Sequence, residues 1–415
     1  MSKTDAAPAT PHPGMGFRQF VGYIAALMAT NAIAIDSMLP ALPEIGRALN
    51  IDTANHTQIV ITAYLLGFGL AQIVYGTLAD RFGRKPVLLV GLGIYTIASV
   101  ACYFAPSLGI MIAARAIQGV GSAATRILAI TIVRDCYSGR QMARVMSLAF
   151  IVFLAVPIVA PSIGQLIMLV APWKAIFFML FLFGAVLFIW TTIRLPETLK
   201  EENRTPISVR GITFAFGLVF RSRVTVGYML AMTMVMGGLF GFINSAQQVF
   251  ADAFGASELF TLIFALIAVF MALSSLLNSK VVGKLGMRRV SHAALLGYLT
   301  VTLIHAVVVL AGVETIWTFS ILQALMMFFF GLMVSNFNAM AMEPVGHVAG
   351  TASSALGFVS TVGGALLGFG LGQLFDGTTL PLTLGFAALG IGALGWVLFA
   401  ERGRLFHSSG APARS

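Results

Sequence analysis

Long apolar stretches alternate with short polar connections along the whole chain, and nowhere does a period of two persist. The apolar runs, rich in Leu, Ala, Met and Phe, fall near 18–39, 57–79, 87–105, 108–133, 145–170, 173–193, 224–249, 259–279, 290–312, 316–340, 349–373 and 380–400. Each is about the 20 residues that an α-helix needs to cross a hydrocarbon layer. Barrel strands would be about half as long and alternating. The pattern therefore predicts an all-α integral membrane protein with about twelve transmembrane helices. The first run contains Asp36 and lacks a small-residue cleavage pattern, so it reads as a retained span rather than a secretory signal.

The longest polar connection runs between Arg194 and Arg223 and holds Glu197, Lys200, Glu201, Glu202, Arg204 and Arg210. It divides the chain into a first six-helix half at 17–194, a linker at 195–223 and a second six-helix half at 224–402. Within the linker, Ile207 to Phe220 mixes apolar residues with cations; it reads either as a helix lying on the membrane surface or as a charged, disordered connection. The polar ends, 1–16 and 403–415, are expected to be disordered.

Composition changes the picture in one respect. The chain is 58% hydrophobic and only 10% charged, with a mean hydropathy of +0.93, which excludes an ordinary soluble domain. A net charge of +10 would suit a nucleic-acid binder if read alone. Its distribution argues otherwise. Of the 25 Lys and Arg, all but Arg47, Lys174, Arg115 and Arg126 fall on one side of the membrane if the N-terminus is inside. The positive-inside rule then places both termini in the cytoplasm, with lipid and no nucleic acid as partner; the expected location is a bacterial-type inner membrane. Cys102 lies in a span and Cys136 in a connection, so both read as packing thiols. No His/Cys cluster has metal-ligand spacing and no nucleophile elbow appears, so neither a metal nor an enzyme is expected. Gly119-Val-Gly121 lies within an apolar span, outside the strand-turn-helix context of a dinucleotide site.

Between the second and third spans lies Gly76-Thr-Leu-Ala-Asp80-Arg81-Phe-Gly83-Arg84-Lys85-Pro86. Its glycines allow a tight reversal, its cations prefer the cytoplasmic face, and Asp80 stands where an acid can meet a neighbouring helix terminus. A second copy, Asn278-Ser-Lys280-Val-Val-Gly-Lys284-Leu-Gly286-Met-Arg288-Arg289, occupies the matching connection of the second half. There Gly83 matches Gly286, Arg81 matches Lys284 and Lys85 matches Arg288, while Gly283 replaces the acid. Two pseudosymmetric halves follow, with a substrate cavity between them near the midplane.

Ionisable residues inside spans are costly and mark functional candidates. Asp36 and Arg115 fall at similar depth, because the first span runs outward and the fourth inward; they are expected to pair or share a cavity. Protonation of a carboxyl in such surroundings follows water access and neighbouring charge, so Asp36 is the candidate for proton and substrate binding and Arg115 for tuning it or for anchoring the surrounding hydrogen bonds. Arg126 follows Arg115 by eleven residues on nearly the same helical face; it reads either as a cavity cation favouring an anionic, zwitterionic or strongly polar substrate or as a partner of helix carbonyls. Asn244, Gln247 and Gln248 in the seventh span, and Asn338 in the tenth, are the neutral cavity candidates. His305 reads as a structural histidine. The fifth span carries Pro157, Pro161 and Gly164 and is expected to be kinked or locally opened. Gly364, Gly368 and Gly372 share one face of the eleventh span and permit close helix approach.

These motifs resemble the major facilitator superfamily. The loop from Gly76 to Lys85 fills every defining position of its signature, Gly76, Asp80, Arg81, Gly83, Arg84 and Lys85 included. The stretch around Pro161 and Gly164 is similar to the antiporter signature of its drug exporters, with Ala160 and Gln165 in place of glycines. Asp36 with Pro40-Ala-Leu-Pro43, Arg115-x-x-Gln118-Gly119, Arg134-Asp135 and Gly350-Thr-Ala-Ser-Ser354 resemble the Bcr/CflA drug-efflux group. The resemblance implies a monomeric proton antiporter that exports drugs or other small amphiphilic molecules by alternating access. Its energy source would be the proton gradient, without a cofactor. It also implies that Asp36 and Arg115 carry coupling and that Asp80 steadies one conformational state. Ser37-Met38 stands where members often have Met-Tyr, which alters the contact beside Asp36. An exporter of a metabolite (a sugar, amino acid or short peptide) and a symporter or uniporter on the same fold remain alternatives.

Overall fold

Apolar runs that cannot pair their backbone groups with lipid must close them internally, and α-helices do so within one segment. The computed structural model describes residues 14–204 and 209–406, and among these it contains helices and turns but no strand. Most of the terminal tails expected to be disordered lie outside the described residues. Among the described residues twelve helical segments are long and apolar enough to cross a membrane.

The first half comprises α1 (Phe17–Asp36), the short α2 (Leu42–Ala48), α3 (Ile59–Phe82), α4 (Arg84–Phe104), α5 (Leu108–Cys136), α6 (Gly139–Val170) and α7 (Lys174–Arg194). The linker forms α8 (Val209–Arg221), so the surface-helix reading of that stretch fits better than a disordered connection. The second half follows as α9 (Arg223–Gln248), α10 (Phe260–Leu285), α11 (Met287–Leu310), α12 (Ile316–Met342), α13 (Ala349–Gln373) and α14 (Leu380–Ala400). Helical structure runs further than hydropathy alone indicated. The first span continues beyond Leu39 through a 3-10 turn into α2, because Pro40 and Pro43 occupy first-turn positions where a missing N–H costs nothing. The fifth begins at Gly139, since its polar first turns are helical too, and α6 runs unbroken through Pro157 and Pro161.

Packing repeats between the halves. α3 lies on α5 as α10 lies on α12, α4 on α7 as α11 on α14, and α1 on α6 as α9 on α13. Across the divide, α3 packs on α13 and α6 on α10. Glycine makes the tightest approaches: a Cβ at Gly67 would overlap the Ala116 carbonyl, and one at Gly119 the Tyr64 carbonyl. Of the eleventh-span glycines, Gly364 and Gly368 seat α13 on Met236, Gly237 and Phe240 of α9 in its own half, whereas Gly372 meets Gln58 of the other half.

One end of the bundle carries the α3–α4 turn, the α10–α11 turn and the linker; it is called the loop end below. At each turn a glycine with positive φ, Gly83 at 101° and Gly286 at 83°, both ends one helix and begins the next.

Candidate functional site

The site follows from what the bundle does with its few embedded polar groups. Asp36 ends α1 and is buried, 5% exposed, yet its carboxylate has no hydrogen-bond or ion-pair partner among the described residues. α6 comes against it closely: a Cβ at Gly164 would fall on the Ser37 carbonyl, the residue after Asp36. The stretch around Pro161 and Gly164 therefore packs directly on the end of the helix that bears the carboxylate. Gln165 next to it bonds Thr261 across the divide.

Arg115 does not pair with Asp36. It is fully buried, and its Nε donates to the Val60 carbonyl at 3.1 Å, Nη2 to the Ala34 carbonyl at 3.1 Å and Nη1 to Gln118 Oε1 at 2.6 Å. The Tyr64 ring lies 4.5 Å from the guanidinium carbon. Gln118 continues the chain by donating to Ser99 Oγ at 2.7 Å. A guanidinium offers five donors in a planar fork, and here they tie α5 to α1 and α3 through carbonyls two residues before Asp36 and at the start of α3. Arg115 thus positions the helix that carries Asp36.

Arg126 lies on the same face of α5 but is exposed, and it makes no hydrogen bond or ion pair with any described residue. Its nearest aromatic neighbour is Phe68, 5.9 Å from the guanidinium carbon. Ile130, one turn on, is also exposed. Ile110 and Ile117 are exposed as well, but on the opposite face, which belongs to lipid. In the second half Asn338 is exposed and lines a small cavity with Tyr228, Met232, Leu356 and Ser360.

The neutral candidates of the seventh span are placed differently. Gln248 accepts from Gln58 Nε2 at 2.5 Å and donates to Asn55 Oδ1 at 2.8 Å, both in the first half. Asn244 donates to Thr62 Oγ1 at 3.5 Å and keeps a buried oxygen without a partner, and Gln247 is half-buried. Around them Gln58 also donates to the Gly372 carbonyl at 3.1 Å, Asn55 Nδ2 to the Phe375 carbonyl at 2.8 Å, and Gln373 Nε2 to the Asn55 carbonyl at 2.7 Å. These amides form a clasp between the halves at the end opposite the loop end. Asn55, Gln58, Thr62 and Gln373 were not among the candidates. At the ends of spans such residues are indistinguishable from solvated caps, and only their convergence reveals them.

Each neutral hydrogen bond contributes about 1 kcal/mol net, so the clasp biases the bundle by a few kcal/mol. Gln58→Ala removes its central donor. The expected result is faster modification of a Thr62→Cys reporter by an impermeant maleimide, by about tenfold; an unchanged rate would mean that the amides do not hold this end shut.

The loop end is ordered by charge. Arg84 Nη1 pairs with Asp80 Oδ1 at 2.6 Å and Nε with Asp135 Oδ2 at 3.0 Å, and Thr198 donates to the same Asp135 oxygen. The acid that meets a helix terminus is Glu197 of the linker rather than Asp80: it accepts from the backbone N–H groups of Arg84 and Lys85 at 2.9 and 3.2 Å, at the start of α4. Lys85 Nζ donates to the Thr192 carbonyl at 2.9 Å. Arg81 makes no hydrogen bond or ion pair with any described residue. In the second half Arg288 pairs with Glu401 at 2.8 Å and Glu343 at 3.3 Å, and Tyr228 also donates to Glu401. By its contacts Arg288 is the counterpart of Arg84, although sequence register aligned it with Lys85. Arg84→Met leaves half-buried Asp135 without its cation, and is expected to cost about 2 kcal/mol, read as a fall in the thermal midpoint of the purified protein; an unchanged midpoint would contradict it.

His305 is buried and bonds Glu314 at 2.7 Å, and Glu314 in turn accepts from Thr379, which ties the α11–α12 and α13–α14 connections together. Among the described residues no group of three or more His, Cys, Asp or Glu could hold a metal.

The model for the Major Facilitator Superfamily matches residues 22–368. The Bicyclomycin resistance protein homolog of Haemophilus influenzae is 30% identical over 92% of this chain and 96% of its own length. Multidrug resistance protein D of Escherichia coli is 29% identical over 82% and 85%. Among solved structures, the human organic anion transporter MFSD10 (TETRAN) superposes with a TM-score of 0.71 over 93% of this chain and 100% of that one, at 17% identity, a likeness of fold alone. The fold, the paired halves and these matches agree that the chain belongs to the Major Facilitator Superfamily, and is a membrane transporter rather than an enzyme.

Proposed function

We propose that the protein exports drugs or other small amphiphilic molecules from the bacterial cytoplasm across the inner membrane in exchange for protons, by alternating access. The observation that carries this reading is the Asp36 carboxylate, buried at the end of the first span without a counter-ion, with α6 packed through Gly164 on the backbone of the next residue, Ser37. The drug-resistance names of the two bacterial relatives support the substrate class.

The loop end faces the cytoplasm in this account, in keeping with its cations. The described state is then closed outside by the amide clasp and reached from inside, where Arg126, Ile130 and Asn338 are exposed. Substrate enters with Asp36 ionised. Closure of the loop end and rupture of the clasp expose the site outside. Protonation of Asp36 there weakens substrate binding, and the protonated carrier returns. One proton moving through ~100 mV supplies about 2.3 kcal/mol and a pH unit about 1.4, enough for a several-hundredfold gradient of a neutral solute. The carrier works as a monomer, with no cofactor.

The test is accumulation of ethidium in cells stripped of their own efflux pumps. Expression of the chain should lower accumulation, and a protonophore should restore it. Lowered accumulation that a protonophore leaves unchanged would refute proton coupling.

A further inference from the structure

We infer that Arg126 is an anion-binding subsite of the transport cavity, so that substrates include amphiphiles bearing a carboxylate or similar anionic group beside an aromatic or aliphatic body. This deepens, and rests on, the reading of the chain as a carrier of small amphiphiles.

A lone guanidinium at hydrocarbon depth is costly, and the usual remedies are an ion pair, bonds to helix carbonyls or escape to the interface. Arg115 uses the second remedy completely. Arg126, on the same face of the same helix, uses none of them: it is exposed and has no hydrogen bond or ion pair among the described residues. Escape is closed by distance. Ten residues separate it from Cys136 at the end of α5, or about 15 Å of helix, so the side chain cannot reach a lipid headgroup layer beyond that end. Nor is a structural carboxylate at hand: Asp36 lies near the level of Arg115, eleven residues or about 16 Å along α5, because Arg115 bonds the Ala34 carbonyl.

What remains for Arg126 is water or a ligand. Five unpartnered donors beside the Phe68 ring, with exposed Ile130 one turn away, match a planar anion attached to an apolar group, since a guanidinium binds carboxylate in a bidentate fork. Such a contact is stronger here than at a surface, because the walls are of low dielectric. With Asp36 ionised, the two embedded charges also suit a dipolar substrate whose anionic end lies toward the loop end.

The experiment uses purified full-length protein in nanodiscs of zwitterionic lipid, which removes anionic headgroups as a competing source. Binding of two matched pairs is measured by equilibrium dialysis: 1-naphthylacetate against 1-naphthylacetamide, and decanoate against decanamide. Wild type should bind at least one anion about tenfold more tightly than its amide. Arg126→Lys should keep that preference and Arg126→Gln lose it, while amide binding is unchanged. Equal affinities within both pairs in wild type, no binding of either anion, or a preference that survives in Arg126→Gln would each overturn the proposal. If Arg126→Gln fails to fold, the wild-type preference and its retention by Arg126→Lys still decide. Proton coupling is not read by this assay, so a failure of the export mechanism and a failure of the anion subsite are separable.

Discussion

Gly164→Val is expected to abolish transport while leaving a folded, membrane-inserted protein. The first atom of any side chain at this position meets the Ser37 carbonyl, which is backbone and cannot rotate aside. Either α6 moves away from α1 or the turn after Asp36 is displaced. Overpacking of this kind costs about 1–3 kcal/mol, a small part of the stability of a twelve-span bundle. The same energy applied to one conformational state shifts its population by up to about 150-fold. Gly164→Ala should be intermediate, because its single methyl demands a smaller displacement. The measurement is ethidium efflux beside the thermal midpoint. Normal efflux in the valine variant would show that the α1–α6 contact has no part in the cycle.

Asp36→Asn is expected to uncouple rather than inactivate. Asparagine keeps the shape and loses the exchangeable proton, and Asp36 has no ion pair whose loss would leave a stranded charge. Proton-driven accumulation in vesicles should therefore fall from a several-hundredfold gradient to near unity. Energy-independent exchange of labelled for unlabelled substrate should survive within about tenfold. Arg115→Ala should instead lower the thermal midpoint together with transport, since it strips the Val60 and Ala34 carbonyls of their buried partner. An Asn variant that still concentrates substrate would remove Asp36 from the coupling step.

The architecture was legible in hydropathy because lipid leaves a chain so few options. Twelve apolar runs of helical length and one long polar connection led to the fold before any side chain was placed. The ends of the spans were less legible, because helices here continue into polar residues, as at Gly139 and at Pro40 to Ala48. Asp36 and Gly164 could be found from residue type alone, as a charge and a small residue in spans. The role of Arg115 was legible only as two alternatives, tuning the acid or anchoring the hydrogen bonds around it. A cation and an acid at equal depth invite pairing, and only the geometry shows the guanidinium committed to backbone carbonyls. The same limit applied to Gln248, which looked like a cavity residue and is joined to Gln58 and Asn55. It applied again to Asp80 and Glu197, of which the linker acid is the one that meets a helix terminus. Sequence distance hides such convergence, and the repeat between the halves reveals it only in part: Arg288 reproduces the contacts of Arg84 at a position shifted by one.

The most direct test of exchange through Asp36 is proton movement in everted vesicles energised by respiration, read with a pH-gradient dye. The account predicts that substrate added to wild-type vesicles releases lumenal protons and partly collapses the gradient, and that Asp36→Asn vesicles with equal protein do not respond. A gradient unaffected by a substrate that wild type demonstrably transports, or an equal collapse in the Asn variant, would contradict it.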